Sequence, residues 1–244
     1  EKPSCDYESW QPFDNNRYLT SIQFNPAPTQ FSINYCNSSV TSRETCRQAA
    51  AKGVVIHPPS NFAFCPMEKN GCSSWLTVLG NLFGRNSTRP AYYLSGTSLK
   101  KFGIEGFEKV FSNPDAQRVV VVRDPLARFV SGFVSKCFGH NCKNPFCFPR
   151  KKFNLPPGEP ISFRTGLDWI LDNSTDVSAI DGHFSLQASH CNLRNQLHRY
   201  TIIALMDKQS LPHDASCLME KAGIGKYNYK GKIPPSHFGR SNQT

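Results

Sequence analysis

Four consecutive valines, Val119 to Val122, lie between Arg118 and the run Arg123-Asp124-Pro125. A short segment that is apolar at every position and β-branched throughout suits a strand buried on both faces. Strands of that kind sit in parallel sheets, whose crossover helices cover both surfaces. Pro125 fits the first turn of a helix, where a missing N–H leaves no bond unmade. The residues that follow, to about Lys136, place Phe129, Val130, Phe133 and Val134 on one side at helical spacing.

The same alternation recurs along the chain. Val54 to Ile56, Asn61 to Cys65 and Tyr200 to Leu205 read as buried strands. Ser73 to Phe83 reads as a helix with Trp75, Leu76, Leu79, Leu82 and Phe83 on one face and Ser73 as its cap. Arg164 to Asp172 and Ala215 to Ala222 read as further helices, and Ser42 to Lys52 as a short one. This order predicts an α/β fold: a central parallel sheet flanked by helices. Residues 1–52 are polar and rich in Asn, Ser, Pro and Gln, and are expected to form a Cys-containing extension or stem remnant. Residues 53–244 are expected to form the main domain. A chain of 244 residues is long enough to bury roughly 70% of its unfolded surface. No run of 18 or more apolar residues is present, so no membrane-spanning helix is expected.

Lys plus Arg exceeds Asp plus Glu by 28 − 18 = +10, a charge that attracts polyanions. The basic residues are scattered and no nucleic-acid-binding signature accompanies them, which argues against nucleic acid. There are ten cysteines. N-x-Ser/Thr sequons begin at Asn37, Asn86, Asn173 and Asn242. Together they indicate an oxidising, glycosylating compartment and a disulfide-stabilised fold. The cluster Cys137, His140, Cys142 and Cys147 matches no standard zinc spacing, so disulfides are expected and no metal site.

Two strand–loop–helix connections have similar chemistry. In the first, Lys69-Asn70-Gly71-Cys72-Ser73-Ser74-Trp75 opens a helix. A helix N-terminus presents N–H groups without helical acceptors and a partial positive charge. Gly71 permits close backbone approach, the serines add hydroxyls, and Lys69 adds a cation. The lysine precedes the glycine, so the loop is not a Walker A motif. In the second, Arg123 stands at the C-terminal end of its strand, where open α/β sheets bind ligands, and its planar fork suits a phosphate. Ser131 lies about two turns into the following helix. Taken singly, each loop is also compatible with an ordinary turn: a solvated lysine in the first, an Arg123–Asp124 pair in the second.

Taken together, Lys-x-Gly-x-Ser-Ser-Trp after one strand and Arg-Asp-Pro-x-x-Arg-x-x-Ser after a later one resemble the Golgi carbohydrate sulfotransferases, closest in type to the chondroitin/dermatan 4-O-sulfotransferases. A third segment, Asp181-Gly182-His183-Phe184-Ser185-Leu186-Gln187 with Cys191 beyond it, resembles that family's Asp-x-His-Trp-x-Pro-Gln, with Phe184 for Trp and Leu186 for Pro. The resemblance covers about residues 60–240 and implies a P-loop-like sulfotransferase fold. It implies 3′-phosphoadenosine 5′-phosphosulfate (PAPS) as donor. Lys69, Asn70, Gly71, Cys72, Ser73 and Ser74 would bind the 5′-phosphosulfate, and Arg123 and Ser131 the 3′-phosphate. Ser236 or Arg240 is a further nucleotide contact by the same carry-over.

On this reading Lys69 is catalytic, neutralising charge on the leaving oxygen, and His183 is the general base, since imidazole titrates near neutral pH. His57 is a second base candidate, because it precedes the first loop's strand. Asp181 and Gln187 would orient His183 or the sugar. The acceptor implied is an anionic glycan such as chondroitin. The location implied is the Golgi lumen, with a membrane anchor outside this chain, or secretion. The alternatives are a kinase, which needs a magnesium site and a Gly-Lys-Ser/Thr loop, and a secreted basic glycan-binding protein or inactive relative.

Overall fold

The computed structural model describes residues 23–24, 43–87, 89–138, 161–172, 181–206 and 217–227. They fall into two compact units, residues 1–122 with 188–244, and Arg123–Gln187. Cys142, Cys147, Ser236, Arg240 and the sequons at Asn37, Asn173 and Asn242 lie outside the described residues.

The first unit is built on a five-stranded sheet of order β1-β5-β4-β3-β2. The strands are β1 (Gln23–Phe24), β2 (Val55–His57), β3 (Phe62–Cys65), β4 (Gln117–Arg123) and β5 (Ile202–Met206). β3 and β4 are parallel, with Phe64 opposite Val119 and Cys65 opposite Val120. The parallel arrangement expected from the sequence therefore holds for this central pair. It does not extend to β2, which runs antiparallel to β3, nor to β1, which runs antiparallel to β5. The reason at β2 is length: only the tight turn Pro58–Ser60 and Asn61, the latter at φ 47°, join it to β3. Parallel neighbours need a crossover of a dozen residues or more.

Alternation along the strands splits the core between the two faces of the sheet. Phe62, Phe64, Val119 and Val121 join Ile202 and Ala204 in one cluster with α2 (Cys72–Leu82). Ala63, Cys65 and Val120 join the other, with Phe107, Val110 and Phe111 of α3 (Leu94–Ser112) and Ala50 and Ala51 of α1 (Arg43–Ala51). Thus α1 and β1, both inside the expected 1–52 extension, supply core and sheet to this unit. Arg118 points off the sheet into full burial. It donates to the carbonyls of Arg199, Val110 and Asn113, and burial beside Arg199 lowers its pKa to about 10.

The sequence gives little sign of the 19-residue α3, because Gly96, Gly103 and Gly106 interrupt its period. The backbone at Gly103 is not helical, so α3 is two helical stretches joined at a kink. Cys65, the last residue of β3, forms a disulfide with Cys191, and Cys217 is also disulfide-bonded. No helix among the described residues is long and apolar enough to cross a membrane.

The second unit packs α4 (Pro125–Lys136) with α5 (Phe163–Leu171). Its core is aromatic: Phe129, Phe133, Trp169 and Phe184, with Cys137 and Ile161. The expected apolar face of α4 is only half right. Phe129 and Phe133 are buried, but Val130 and Val134 face solvent, and Arg128 takes a buried place instead.

Candidate functional site

The loop after β3 reaches α2 through two left-handed residues, Lys69 (φ 69°) and Gly71 (φ 73°). Gly71 is the N-cap residue, without a side-chain cap bond. Its conformation starts the helix at Cys72, so Ser73 lies inside the first turn rather than capping it, contrary to expectation. A missing side-chain cap is worth about 1 kcal/mol. Trp75, Leu76, Val78, Leu79 and Leu82 are buried, and each contributes roughly 1.5–3 kcal/mol, so packing holds α2 in place. The first intrahelical bond runs from the Trp75 N–H to the Gly71 carbonyl at 3.1 Å. The N–H groups of Cys72, Ser73 and Ser74 therefore precede any helical acceptor and sit at the positive end of the helix dipole.

Asn70 turns inward. It is 2% exposed, and its side chain donates to the Val121 carbonyl at 2.9 Å and the Met67 sulfur at 3.5 Å. It ties the loop to β4, leaving its neighbours Lys69 and Gly71 half-buried at the surface. His190, next to the disulfide, braces the loop from another side, 3.5 Å from the Glu68 carboxylate. Burial, then the Glu68 charge, push the Cys72 thiol up, so it is protonated at neutral pH. Ser73 Oγ lies 3.2 Å from the Tyr92 hydroxyl.

His57 is not near this loop. It pairs with Phe62, at the start of β3, while the loop leaves from Cys65. Three residues of strand separate the two ends by about 10 Å. Its ring stacks edge-on to Phe83 and Phe102 and bonds Ser60 Oγ at 3.0 Å, which suits a structural histidine.

In the second unit, Asp124 accepts from the Ala127 N–H at 2.7 Å and caps α4, with Pro125 at the first helical position. Arg123 is half-buried, and burial draws its guanidinium below the usual arginine range while Asp124 opposes this; it remains a cation at neutral pH. Its main chain is held by Gln187. The Arg123 N–H donates to Gln187 Oε1 at 2.9 Å, and Gln187 Nε2 donates to the Arg123 carbonyl at 2.7 Å.

Residues 181–187 form the turn that carries Gln187. The Asp181 carboxylate accepts from the His183 N–H at 3.0 Å and pairs with His183 Nδ1. Burial alone would raise the Asp181 pKa, but these two bonds and the charges of His183 and Lys136 hold it below the carboxylate norm. Arg128, 4% exposed, donates to the Gly182 and Ser185 carbonyls at 2.6 Å each. Gly132, beside Ser131, is where α4 meets the turn: a Cβ there would stand 2.9 Å from the His183 carbonyl and 3.2 Å from the Phe184 ring. Phe184 is core, edge-on to Trp169, whereas Leu186 is exposed.

The structure thus gathers Lys69 to Ser74 around one helix start in the first unit. In the second, Arg123 ends β4, Ser131 lies on α4, and His183 lies on the turn that packs against α4 at Gly132. Arg128, the second arginine of the Arg-Asp-Pro-x-x-Arg-x-x-Ser run, was assigned no role from the sequence; a charge adjoining Phe129 on a buried face is the signal that marks one. A family model, the sulfotransferase family, matches residues 52–240. The chain belongs to the sulfotransferase family. Comparison with curated proteins and with solved structures finds no match. The chemistry of this sulfotransferase is therefore sulfo transfer to an acceptor, a reaction that calls for anion-binding N–H groups, a cation at the leaving oxygen and a proton acceptor. Both units contain groups of these kinds.

Proposed function

We propose that this sulfotransferase moves a sulfo group from PAPS to a hydroxyl of an anionic glycan, such as the glycosaminoglycan chondroitin, in the Golgi lumen. The observation that supports it most is the start of α2, where Gly71 sets three successive N–H groups beside Lys69. This donor set fits a phosphosulfate: oriented N–H groups, two serine hydroxyls and one cation. PAPS supplies a sulfo group already joined to a good leaving phosphate.

Cys72, Ser73 and Ser74 hold the anionic end of the donor through their N–H groups. Lys69 offsets the negative charge that grows on the leaving oxygen. Arg123 and Ser131 take the 3′-phosphate, so that binding energy away from the reacting atoms orients them. His183 accepts the acceptor's hydroxyl proton at Nε2, while Asp181 fixes the proton on Nδ1 and so selects that tautomer. Asn70, Arg128 and Gln187 hold these groups in place. The net charge of +10 draws an anionic chain toward the protein.

The deciding experiment is transfer of labelled sulfate from PAPS to a panel of desulfated glycans by wild-type protein and Lys69→Ala, followed by disaccharide analysis. Wild-type transfer that Lys69→Ala abolishes supports the assignment. Near-normal turnover in the variant rejects the loop as the donor site. Glycan binding by the wild type with neither transfer nor stabilisation by 3′-phosphoadenosine 5′-phosphate (PAP) indicates a binding protein instead.

A further inference from the structure

Tyr92 and Tyr93 are 62% and 87% exposed, in a unit whose other large aromatics include the buried Phe62, Phe64, Trp75, Phe107, Phe111 and Tyr200. Two adjacent tyrosine rings in water need a reason, because each could bury a large apolar surface. They do not sit on a loose tip. Ala91 and Leu94 on either side are 5% and 4% exposed and belong to the same core cluster as α2. The Ala91 N–H donates to the Leu76 carbonyl of α2 at 3.3 Å, and the Leu94 N–H to the Ala91 carbonyl at 3.0 Å. The Thr97 hydroxyl and N–H both donate to the Tyr93 carbonyl at 3.0 Å. The backbone is fixed, and the two rings are presented outward from it.

Their position is equally specific. The Tyr92 hydroxyl is 3.2 Å from Ser73 Oγ, in the first turn of α2. The surrounding sequence is one-signed: no acidic residue occurs between Glu68 and Glu105, while Lys69, Arg85, Arg89, Lys100 and Lys101 all fall there. Arg89, exposed, is three residues before Tyr92.

We propose that Tyr92 and Tyr93 form the platform on which a sugar ring of an anionic glycan lies as it approaches the start of α2. A pyranose has an apolar C–H face and a polar rim. A tyrosine ring offers an apolar face and a hydroxyl edge, so it meets both. Arg89, exposed three residues before Tyr92, and Lys69 at the α2 start favour a chain carrying carboxylates or sulfates, and an aromatic pair beside an anion-binding turn serves a glycan better than a free anion, which needs no ring. This inference rests on the donor assignment above, because it takes the α2 start as the place where the sulfo group is delivered.

The test is acceptor kinetics with desulfated chondroitin, alongside PAP titration, for Tyr92→Ala, Tyr93→Ala and Tyr92→Phe. Tyr93→Ala is expected to raise the acceptor KM about tenfold, the scale of one aromatic contact, with kcat, PAP affinity and thermal midpoint unchanged. Tyr92→Ala should likewise raise the acceptor KM, and Tyr92→Phe, which keeps the ring, should recover most of the loss. An unchanged acceptor KM in Tyr93→Ala overturns the platform, as does a loss of PAP affinity equal to that for acceptor. Should the wild type neither transfer from PAPS nor bind PAP, the donor assignment fails by itself. The platform is then judged by direct binding of chondroitin and heparin oligosaccharides: it stands if Tyr93→Ala weakens that binding and falls if it does not, or if the wild type binds neither.

Discussion

Gln187 grips Arg123 by its main chain, accepting from its N–H at 2.9 Å and donating to its carbonyl at 2.7 Å. One side-chain amide thereby does what a neighbouring strand would do, at the residue where β4 gives way to α4. The two residues are 64 apart in sequence. The Arg123 backbone is thereby fixed at the end of the strand.

Gln187→Ala is expected to weaken PAP binding about tenfold and to lower stability by about 1–2 kcal/mol, the scale of two neutral hydrogen bonds partly replaced by water. Gln187→Glu should do the same or worse, because a carboxylate cannot donate to the Arg123 carbonyl. Calorimetric titration with PAP reads the first effect and urea unfolding the second. Unaltered PAP affinity in both variants would show that the clamp serves the fold alone.

For His183→Ala, transfer should fall by about 10²–10⁴-fold while PAP affinity stays put, which is the pattern of a lost general base. Asp181→Asn keeps a side chain of the same shape but loses the carboxylate that holds Nδ1–H. A smaller fall in kcat is expected, again without loss of PAP binding. If PAP affinity drops with activity in both variants, the pair is structural.

Gly132→Ala separates two opposing effects. In an exposed helix interior, alanine would stabilise by about 1 kcal/mol relative to glycine. Here the new Cβ would stand 2.9 Å from the His183 carbonyl. Overpacking of that kind typically costs 1–3 kcal/mol, so net destabilisation is expected, with lower activity from a displaced His183. A variant more stable than wild type would mean that α4 and the turn do not pack this closely.

Acid should destabilise the protein through His57. Burial first, then the Lys101 charge, lower its pKa from 6.5. The unfolded chain thus binds the proton more readily than the folded one. The stability tied to neutral His57 is complete above pH 6.5 and is lost as pH falls through the lower, folded value. His198 shifts the same way, by burial and then Arg199. His57→Gln, which keeps a polar group near Ser60, should flatten the fall in thermal midpoint between pH 7.5 and 5.5. Parallel curves for variant and wild type would remove His57 as a source of that acid sensitivity.

Much of this was legible in the residues, for identifiable reasons. The valine run marks β4 because no amphipathic helix is apolar at four successive positions. The α2 start is legible because Gly71, Ser73 and Ser74 are local signals that act within a few residues. What escaped depends on distant partners. Gln187 reads as orienting His183 or the sugar until its amide is found on the Arg123 main chain. Arg128 stands in the quoted motif without a role until its guanidinium is found on the Gly182 and Ser185 carbonyls. The direction of β2 rests on a turn too short to cross over, and α3 hides behind its glycines. Phe184, which stands where the resembling motif has Trp, has its ring in the core against Trp169.

The Cys65–Cys191 bridge encloses α2, α3, β4, α4 and α5 in a single covalent loop. A protease that cuts once anywhere from residue 66 to 190 will therefore nick the polypeptide without releasing a piece of it. Such material should migrate as one species on a non-reducing gel and part into two bands only after thiol treatment, so intact mass under oxidising conditions is no proof of an unbroken chain.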